Sequence, residues 1–222
     1  MTMTLEFNLG KHTIHAQGVQ GGSPVIQGLK NDDSRMKIYP EQKIYFVCDN
    51  SGSVSGDPAD QINQATKNMM SIMSAPENKD GFRVSVIMFG SNADLVCEDK
   101  APQDVNLAVD GNGGGTELTP ALDIVAKLEG KALIRPNRVK VNSMMIILSD
   151  GGFGDTAQSI QMIDGLKQQG MQVMTIGVGD ACDEAVLRNA ATSSDFYAKT
   201  DGSGLMSLLA KVGKTMSQGL IK

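Results

Sequence analysis

The most apolar run of the chain, Val141 to Ser149, is the feature that most constrains its fold. A central strand of a parallel sheet is buried on both faces, so its sequence is apolar at nearly every position. A second run, Ile44 to Cys48, is rich in β-branched and aromatic residues and has no polar interruption. Both runs predict buried strands, and each is followed directly by an Asp.

Strand and helix patterns alternate along the rest of the chain. Strands are predicted at residues 43–48, 82–89, 141–149, 171–178 and 196–198, and helices at about residues 57–74, from 121, 156–169, 183–191 and 204–216. This alternation predicts an α/β fold, a doubly wound, mostly parallel sheet flanked by helices. Residues 94–98 follow a short turn and are expected to return as one antiparallel edge strand.

The first 40 residues differ in character and are predicted to form an N-terminal arm, with residues 41–222 as one domain. Within the arm, Leu5, Phe7 and Leu9 alternate with polar neighbours. Residues 1–9 are therefore expected to add a strand to a sheet of this chain or of a neighbour.

Glycines are dense between residues 18 and 28, so about residues 17–35 are expected to be mobile and to be cleaved first by a protease. His12 and His15 also lie in the arm. On a strand their spacing would point the two imidazoles to opposite faces, and a solvated or packing pair is expected rather than a zinc site.

Charge and hydropathy argue against several functional classes. The formal net charge is -5, and no basic stripe is present to neutralise the phosphates of a nucleic acid. No stretch has the pattern of a signal peptide or the length of a membrane span. The 3 Cys are scattered, which suits a reducing compartment. A soluble cytoplasmic protein is expected, while a specialised secretion route and the oligomeric state are left open.

Oxygen-bearing side chains occur in three of the predicted loops. Asp49, Ser51 and Ser53 follow the first strand, Thr116 follows a run of glycines, and Asp150 follows the most apolar strand. The carboxyl ends of parallel strands share one edge of a sheet, where ligands bind. Two carboxylates and three hydroxyls suit octahedral Mg²⁺ or Mn²⁺ and lack the soft ligands that zinc or copper would prefer.

The glycine run at residues 111–115 invites comparison with a phosphate-binding loop. No Lys-Ser or Lys-Thr pair follows these glycines, and no strand leads directly into them. Both features are needed to cradle a nucleotide phosphate, so nucleotide binding is not expected. The glycines instead allow the backbone to fold tightly and to approach a ligand.

In their order and spacing, these five residues resemble the metal-ion-dependent adhesion site of the von Willebrand factor A family. The resemblance covers about residues 41–220. It implies that Asp49, Ser51, Ser53, Thr116 and Asp150 hold Mg²⁺ or Mn²⁺ mainly through neutral oxygens, so that the ion can recruit a Glu or Asp of a partner protein. Cytoplasmic bacterial or phage-type members of the family include stress-response, tellurite-resistance-like and chaperone-associated proteins, and the match does not select among them.

The resemblance also implies a switch at the site. In the family, the residues that correspond to Thr116 and Asp150 exchange direct and water-mediated metal contacts when an acidic ligand arrives, and the closing helix moves. That helix is predicted here at about Gly204 to Met216. Asp57, Glu117 and Asp155 lie close to the ligands in sequence and are interpreted only as solvated charges that tune metal affinity.

Two alternatives to a binding module remain open. Asp49 and Asp150 could hold a catalytic Mg²⁺ in a metal-dependent hydrolase, although no additional general base is identifiable. A Ser nucleophile would need a base, yet both His lie in the arm, and an enzyme is therefore not expected. The third class is a structural scaffold with a metal site that does not switch.

Overall fold

The computed structural model describes residues 2–9, 12–19, 39–131, 135, 138–141, 143–149, 152–179 and 182–221. Asp150, one of the five predicted ligands, lies outside these ranges. Residues 20–35, on which most of the expected mobility falls, also lie outside them, so that expectation stays a prediction. The chain divides into two compact units, Met1–Ile38 and Tyr39–Lys222.

The first unit contains two antiparallel strands. Strand β1 spans Thr2–Leu9 and pairs with β2, His12–Val19. The strand expected within residues 1–9 thus has its partner in the same unit. A sheet of two strands has little stability by itself in water. The interpretation of the two His as a solvated or packing pair stays a prediction.

The second unit contains the remaining strands and all the described helices. Its strands are β3 Tyr39–Asp49, β4 Phe82–Phe89, β5 Ala93–Lys100, β6 Arg138–Lys140, β7 Met144–Ser149, β8 Gln172–Val178 and β9 Tyr197–Thr200. Its helices are α1 Asp57–Met73, α2 Thr119–Glu129, α3 Thr156–Gln168, α4 Glu184–Ala190 and α5 Gly202–Ile221. Within the described part of the chain, no helix combines the length and the apolar character needed to cross a membrane.

The strands form one mixed sheet in the order β5-β4-β3-β7-β8-β9, with β6 beside the start of β3. Every neighbouring pair is parallel except β4 and β5. The short turn between β4 and β5 forces the antiparallel arrangement, because parallel neighbours need a long crossover. The predicted doubly wound, mostly parallel sheet with one antiparallel edge strand is therefore confirmed.

Two boundaries differ from the sequence prediction. The apolar pattern predicts one strand over residues 141–149, but β7 begins at Met144, and the three residues of β6 precede it and pair with the start of β3. Helix α5 is longer than predicted and packs along α1. A Cβ at Gly213 would lie 3.4 Å from side-chain atoms of both Met69 and Ile72, so the two helices are close together at this point.

Both faces of the central strands are buried, which explains their apolar sequences. Successive residues of β3 point to opposite faces of the sheet. One face packs in an apolar cluster with residues of α1 and α5, and the other in a cluster with residues of α2, α3 and α4. Phe46 belongs to the first cluster and Val47 to the second, and both are fully buried.

A half-buried carboxylate, Glu129, fastens the end of α2 to the amino ends of the central strands. It accepts hydrogen bonds from the Tyr45 hydroxyl at 2.7 Å and from the Ser143 hydroxyl at 2.9 Å, and it forms an ion pair with Lys140. Burial raises the pKa of Glu129, but the hydrogen bonds from Lys140, Tyr45 and Ser143 outweigh it and hold the pKa below its ordinary value. Glu129 is therefore charged at neutral pH.

We expect Glu129→Gln to lower the free energy of unfolding at neutral pH by about 1–3 kcal/mol, because Tyr45, Ser143 and Lys140 lose a charged acceptor. The contribution of Glu129 is complete above its unfolded pKa of 4.5 and declines as the pH falls through the lower folded pKa. The acid limb of a stability curve measured by urea unfolding should therefore be shallower in Glu129→Gln. Asp123→Asn, on the exposed face of the same helix, should leave the curve unchanged. Equal acid limbs in wild type and Glu129→Gln would contradict the assignment.

Candidate metal centre

Asp49 is the last residue of β3, and its side chain is fully buried at the carboxyl edge of the sheet. One carboxylate oxygen accepts the backbone N–H of Ser51 at 2.8 Å, and the other accepts the hydroxyl of Ser149 at 2.7 Å. The parallel pairing of β3 with β7, in which Cys48 lies opposite Leu148, brings Ser149 to this position. The orientation of the Asp49 carboxylate is thereby fixed.

Ser51 immediately precedes a short helical turn at Gly52–Val54, and Ser53 lies within that turn. Ser51 is buried, Ser53 is exposed, and their hydroxyl oxygens lie 3.0 Å apart. Oxygen ligands at about 2.0–2.1 Å from an octahedral Mg²⁺ lie about 2.9 Å from their nearest neighbours. The two hydroxyls are therefore spaced as adjacent Mg²⁺ ligands would be, so this part of the predicted set fits the ion.

The glycine run packs against the Asp49 loop through the backbone. Gly113 N–H donates to the carbonyl of Asn50 at 2.7 Å, and Gly52 N–H donates to the carbonyl of Gly114 at 3.2 Å. A Cβ at Gly113 would lie 2.8 Å from the Asn50 oxygen, too close for any other residue. These glycines permit a close approach between two loops, which brings the segment that carries Thr116 beside the Asp49 loop.

Asn50 adds a side-chain link between the same two loops. Its carbonyl oxygen accepts the backbone N–H groups of Asp110 and Gly111 at 2.9 and 3.0 Å, and its amide donates to the Asp110 carboxylate at 3.0 Å. Hydrogen bonds from Asn50 first, and then from Asn112, lower the pKa of Asp110. Asp110 is thus an exposed anion, and it is hydrogen-bonded to Asn50, the residue that follows the candidate ligand Asp49.

The segment that carries Thr116 is also held by the loop after β7. The carbonyl of Thr116 accepts the N–H of Gly154 at 2.9 Å. The carboxylate of Asp155 accepts the N–H groups of Leu118 at 3.1 Å and Thr119 at 2.6 Å, and so caps the start of α2 from a different loop. Burial raises the pKa of Asp155, but the hydrogen bonds that the carboxylate accepts have a larger effect in the opposite direction. The pKa of Asp155 is therefore below its ordinary value.

The structure brings part of the predicted site together. Asp49, Ser51 and Ser53 form one hydrogen-bonded group, and the half-buried Thr116 lies on the adjoining loop. Asp150 lies outside the described residues. Among the residues that are described, no group of three or more His, Cys, Asp and Glu side chains could hold a metal. The candidate site depends instead on hydroxyls, and its metal ligation stays a prediction.

Sequence reasoning missed three residues that shape the site. Ser149 could have been found, because register alignment of two neighbouring parallel strands places it beside Asp49. Asn50 lies within the motif, but its sequence context indicates no role for it. The sequence predicts a solvated charge at Asp155, whereas Asp155 caps α2. No local pattern reveals that cap, since Asp155 and the N–H groups that it accepts come from separate loops.

A cavity of about 700 Å³ lies between α5 and the amino ends of the strands, where Gln42, Met144 and Gln172 line it. These residues are near the starts of β3, β7 and β8, whereas Asp49 is at the end of β3. The cavity is therefore at the opposite edge of the sheet and is not part of the candidate metal centre.

The chain belongs to the von Willebrand factor type A domain family, whose model matches residues 43–211. A von Willebrand factor A domain-containing protein of Dictyostelium discoideum is 27% identical over 172 residues, which are 72% of this chain and 17% of that protein. The chain thus spans less than a fifth of the length of this curated relative.

Solved structures share the fold. Proximal thread matrix protein 1 from the mussel byssus, with a zinc-occupied metal-ion-dependent adhesion site, has a TM-score of 0.59 and 21% identity, over 82% of this chain and 47% of that chain. The pilus adhesin SpaC from Lactobacillus rhamnosus GG has a TM-score of 0.67 and 15% identity, over 82% and 30%. Manganese-loaded TRAP protein of Plasmodium vivax has a TM-score of 0.55 and 20% identity, over 76% and 72%.

Asp155→Ala should lower the free energy of unfolding by about 0.5–2 kcal/mol, the usual cost of losing a helix cap. Hydrogen exchange should become faster at the amides of Leu118 and Thr119, because both lose their acceptor. Asp183→Ala removes the cap of α4, where Asp183 accepts the N–H of Val186 at 3.1 Å, and serves as a matched control. Unchanged exchange at Leu118 and Thr119 in Asp155→Ala would contradict the cap.

Proposed function

We propose that this domain is a divalent-metal-dependent protein-binding module. Mg²⁺ or Mn²⁺ would be held by Asp49, Ser51, Ser53, Thr116 and Asp150 and would offer a coordination position to a Glu or Asp of a partner protein. The observation that carries the proposal is the group of Asp49, Ser51 and Ser53, whose oxygens are linked at the carboxyl edge of the sheet.

The chain's own residues prepare this surface. Ser149 and the Ser51 N–H hold the Asp49 carboxylate in one orientation, so the buried charge does not have to be ordered when a cation arrives. Ser53 is exposed and Thr116 is half-buried, which leaves the group open to solvent on the side from which a partner would approach. Neutral hydroxyls would leave a bound cation electrophilic toward an anionic oxygen.

The comparisons support the proposal at the level of the family. The mussel protein carries zinc in such a site, the Plasmodium protein was loaded with manganese, and SpaC is a pilus adhesin. For this chain, the identity of the metal and the acidic partner residue are parts of the proposal. A cytoplasmic location and a stress-response role stay predictions, and the absence of nucleic-acid and membrane binding also stays a prediction.

We also propose that the domain is not an enzyme. The two His of the chain are His12 and His15, both in the first unit, and no Lys lies between Ile44 and Thr66 around the first loop. A metal-dependent hydrolase at Asp49 and Asp150 would need a positioned base to activate water. The hydroxyl-rich set suits the binding of an oxygen ligand better than this reaction.

Mg²⁺ or Mn²⁺ should raise the melting temperature, because only the folded chain assembles the ligands. A cation at about 100 times its Kd would add about 2.7 kcal/mol to the free energy of unfolding. Thermal melts and calorimetric titration would measure this stabilisation, and Asp49→Ala should abolish it. The control is Glu77→Gln, which removes an exposed charge between α1 and β4, at the opposite edge of the sheet. No heat of binding and no shift at millimolar cation would refute the metal site.

Thr116→Ala should weaken partner capture much more than metal affinity, whereas Asp150→Ala should weaken both. An arriving carboxylate supplies negative charge, so the neutral Thr116 is the residue whose metal contact would form with the partner. Calorimetry gives the metal affinity, and pull-downs with Mg²⁺ or with chelator give partner capture. Ser71→Ala, exposed on α1, is the control. Equal losses of metal affinity in the Thr116 and Asp150 variants would remove the basis for a switch.

A further inference from the structure

The strand-to-helix connections at the carboxyl edge contain acidic residues and no basic ones. In the sequence, residues 44–66, 101–126, 141–166, 168–187 and 200–210 contain no Lys or Arg. These segments include the connections that lead from β3, β7, β8 and β9 into the following helices, and the long connection from β5 to α2, which begins at the opposite edge because β5 is antiparallel. The described acidic residues in or next to these connections include Asp57, Asp110, Glu117, Asp155, Asp183 and Asp201.

Three of these residues lie on or against the loops that carry the candidate ligands, and we call Asp110, Glu117 and Asp183 the acidic rim. Asp110 is hydrogen-bonded to the residue after Asp49, and Glu117 follows Thr116 in the chain. The carboxylate of Asp183 would lie 3.8 Å from a Cβ at Gly152, in the loop after β7. The rim therefore receives a carboxylate from each of three different loops.

Lys199, on β9, forms an ion pair with Glu184 at 3.0 Å. Many of the basic residues lie at the opposite edge, where strands begin and α2 ends: Lys43, Arg83, Lys131, Arg135, Arg138 and Lys140. The domain thus presents its candidate metal centre on a face that carries negative charge.

The negative charge around the candidate metal centre would repel a partner segment that contains only acidic residues. Asp49 and the predicted ligand Asp150 would already offset much of the charge of a divalent cation. A carboxylate that approaches the site then meets the negative field of the rim, and like charges at an interface weaken association. The Debye length is about 8 Å at physiological ionic strength, so only charges close to that carboxylate can compensate.

We propose that the partner presents its Glu or Asp within a basic segment, with Lys or Arg a few residues to either side. The carboxylate would enter the candidate metal centre while the flanking cations lie against Asp110, Glu117 and Asp183. This inference rests on the proposed function and specifies the kind of partner that the same site accepts. It makes the association faster and tighter at low salt than at high salt.

Synthetic peptides with one central Glu test the inference directly. The flanking residues are Lys in one peptide, Ser in the second and Asp in the third, and a fourth peptide has Lys flanks with Gln in place of Glu. Binding to the full chain in millimolar Mg²⁺ is followed by amide chemical shifts, which detect weak complexes. The Lys-flanked Glu peptide should bind about tenfold more tightly than the Asp-flanked one at low salt, and added NaCl should reduce the difference.

The outcomes separate the inference from the proposed function. If no Glu peptide binds, the proposed function fails and the inference fails with it. If the Glu peptides bind with equal affinity, or the Asp-flanked one binds best, the inference fails and the proposed function stands. If the Gln peptide binds as well as its Glu counterpart, the carboxylate has no role and both ideas fail.

Removing two of the three rim charges provides an independent test. Glu117→Gln combined with Asp183→Asn should reduce the preference for Lys flanks severalfold, and all peptides are compared at a Mg²⁺ concentration that saturates both proteins, so that a difference in Mg²⁺ affinity does not contribute. Glu77→Gln combined with Asp80→Asn removes two exposed charges from the loop between α1 and β4, at the opposite edge, and should leave the preference unchanged. An unchanged preference in the rim variant would overturn the inference.

Discussion

The burial of β3 on both faces is the constraint on which the rest of the second unit depends. Phe46 packs with the α1 and α5 layer, and Val47 packs with the layer of α2, α3 and α4. A strand held in this way has no freedom to slip, since a shift of one residue would exchange its two faces. The position of Asp49 at the end of β3 is therefore fixed by apolar packing, and the polar contacts only need to orient its carboxylate.

Hydrogen bonds join three loops at the carboxyl edge: the loop after β3, the loop before α2 and the loop after β7. Asn50 binds the loop that carries Gly111 and Gly113, and the loop after β7 binds Thr116 and caps α2 through Asp155. A connected arrangement of this kind holds three chain segments within reach of one ligand. The segments that carry Asp49, Ser53 and Thr116 are ordered during folding, so a cation or a partner would find this part of the site already in place.

The sequence was sufficient for the sheet and for the motif, because both depend on local patterns. Apolar runs such as Ile44 to Cys48 reveal buried strands, and each candidate ligand lies where a predicted strand or loop ends. The cap by Asp155 and the length of α5 could not be predicted, since they depend on contacts between distant segments. Propensity alone favours a shorter final helix, because it contains several glycines, and packing on α1 overrides that preference.

The same packing connects the candidate metal centre to the far end of the chain. Val54 ends the turn that carries Ser51 and Ser53, and it is fully buried in the apolar cluster that includes Leu205 and Leu209 of α5. Close-packed interiors have little free volume, so a movement of this turn would have to displace its apolar neighbours. α1 begins directly after this turn and packs along α5. A rearrangement around Ser53 would therefore act on α5 through Val54 and α1, which is the physical connection that a switch between metal contacts and the closing helix requires.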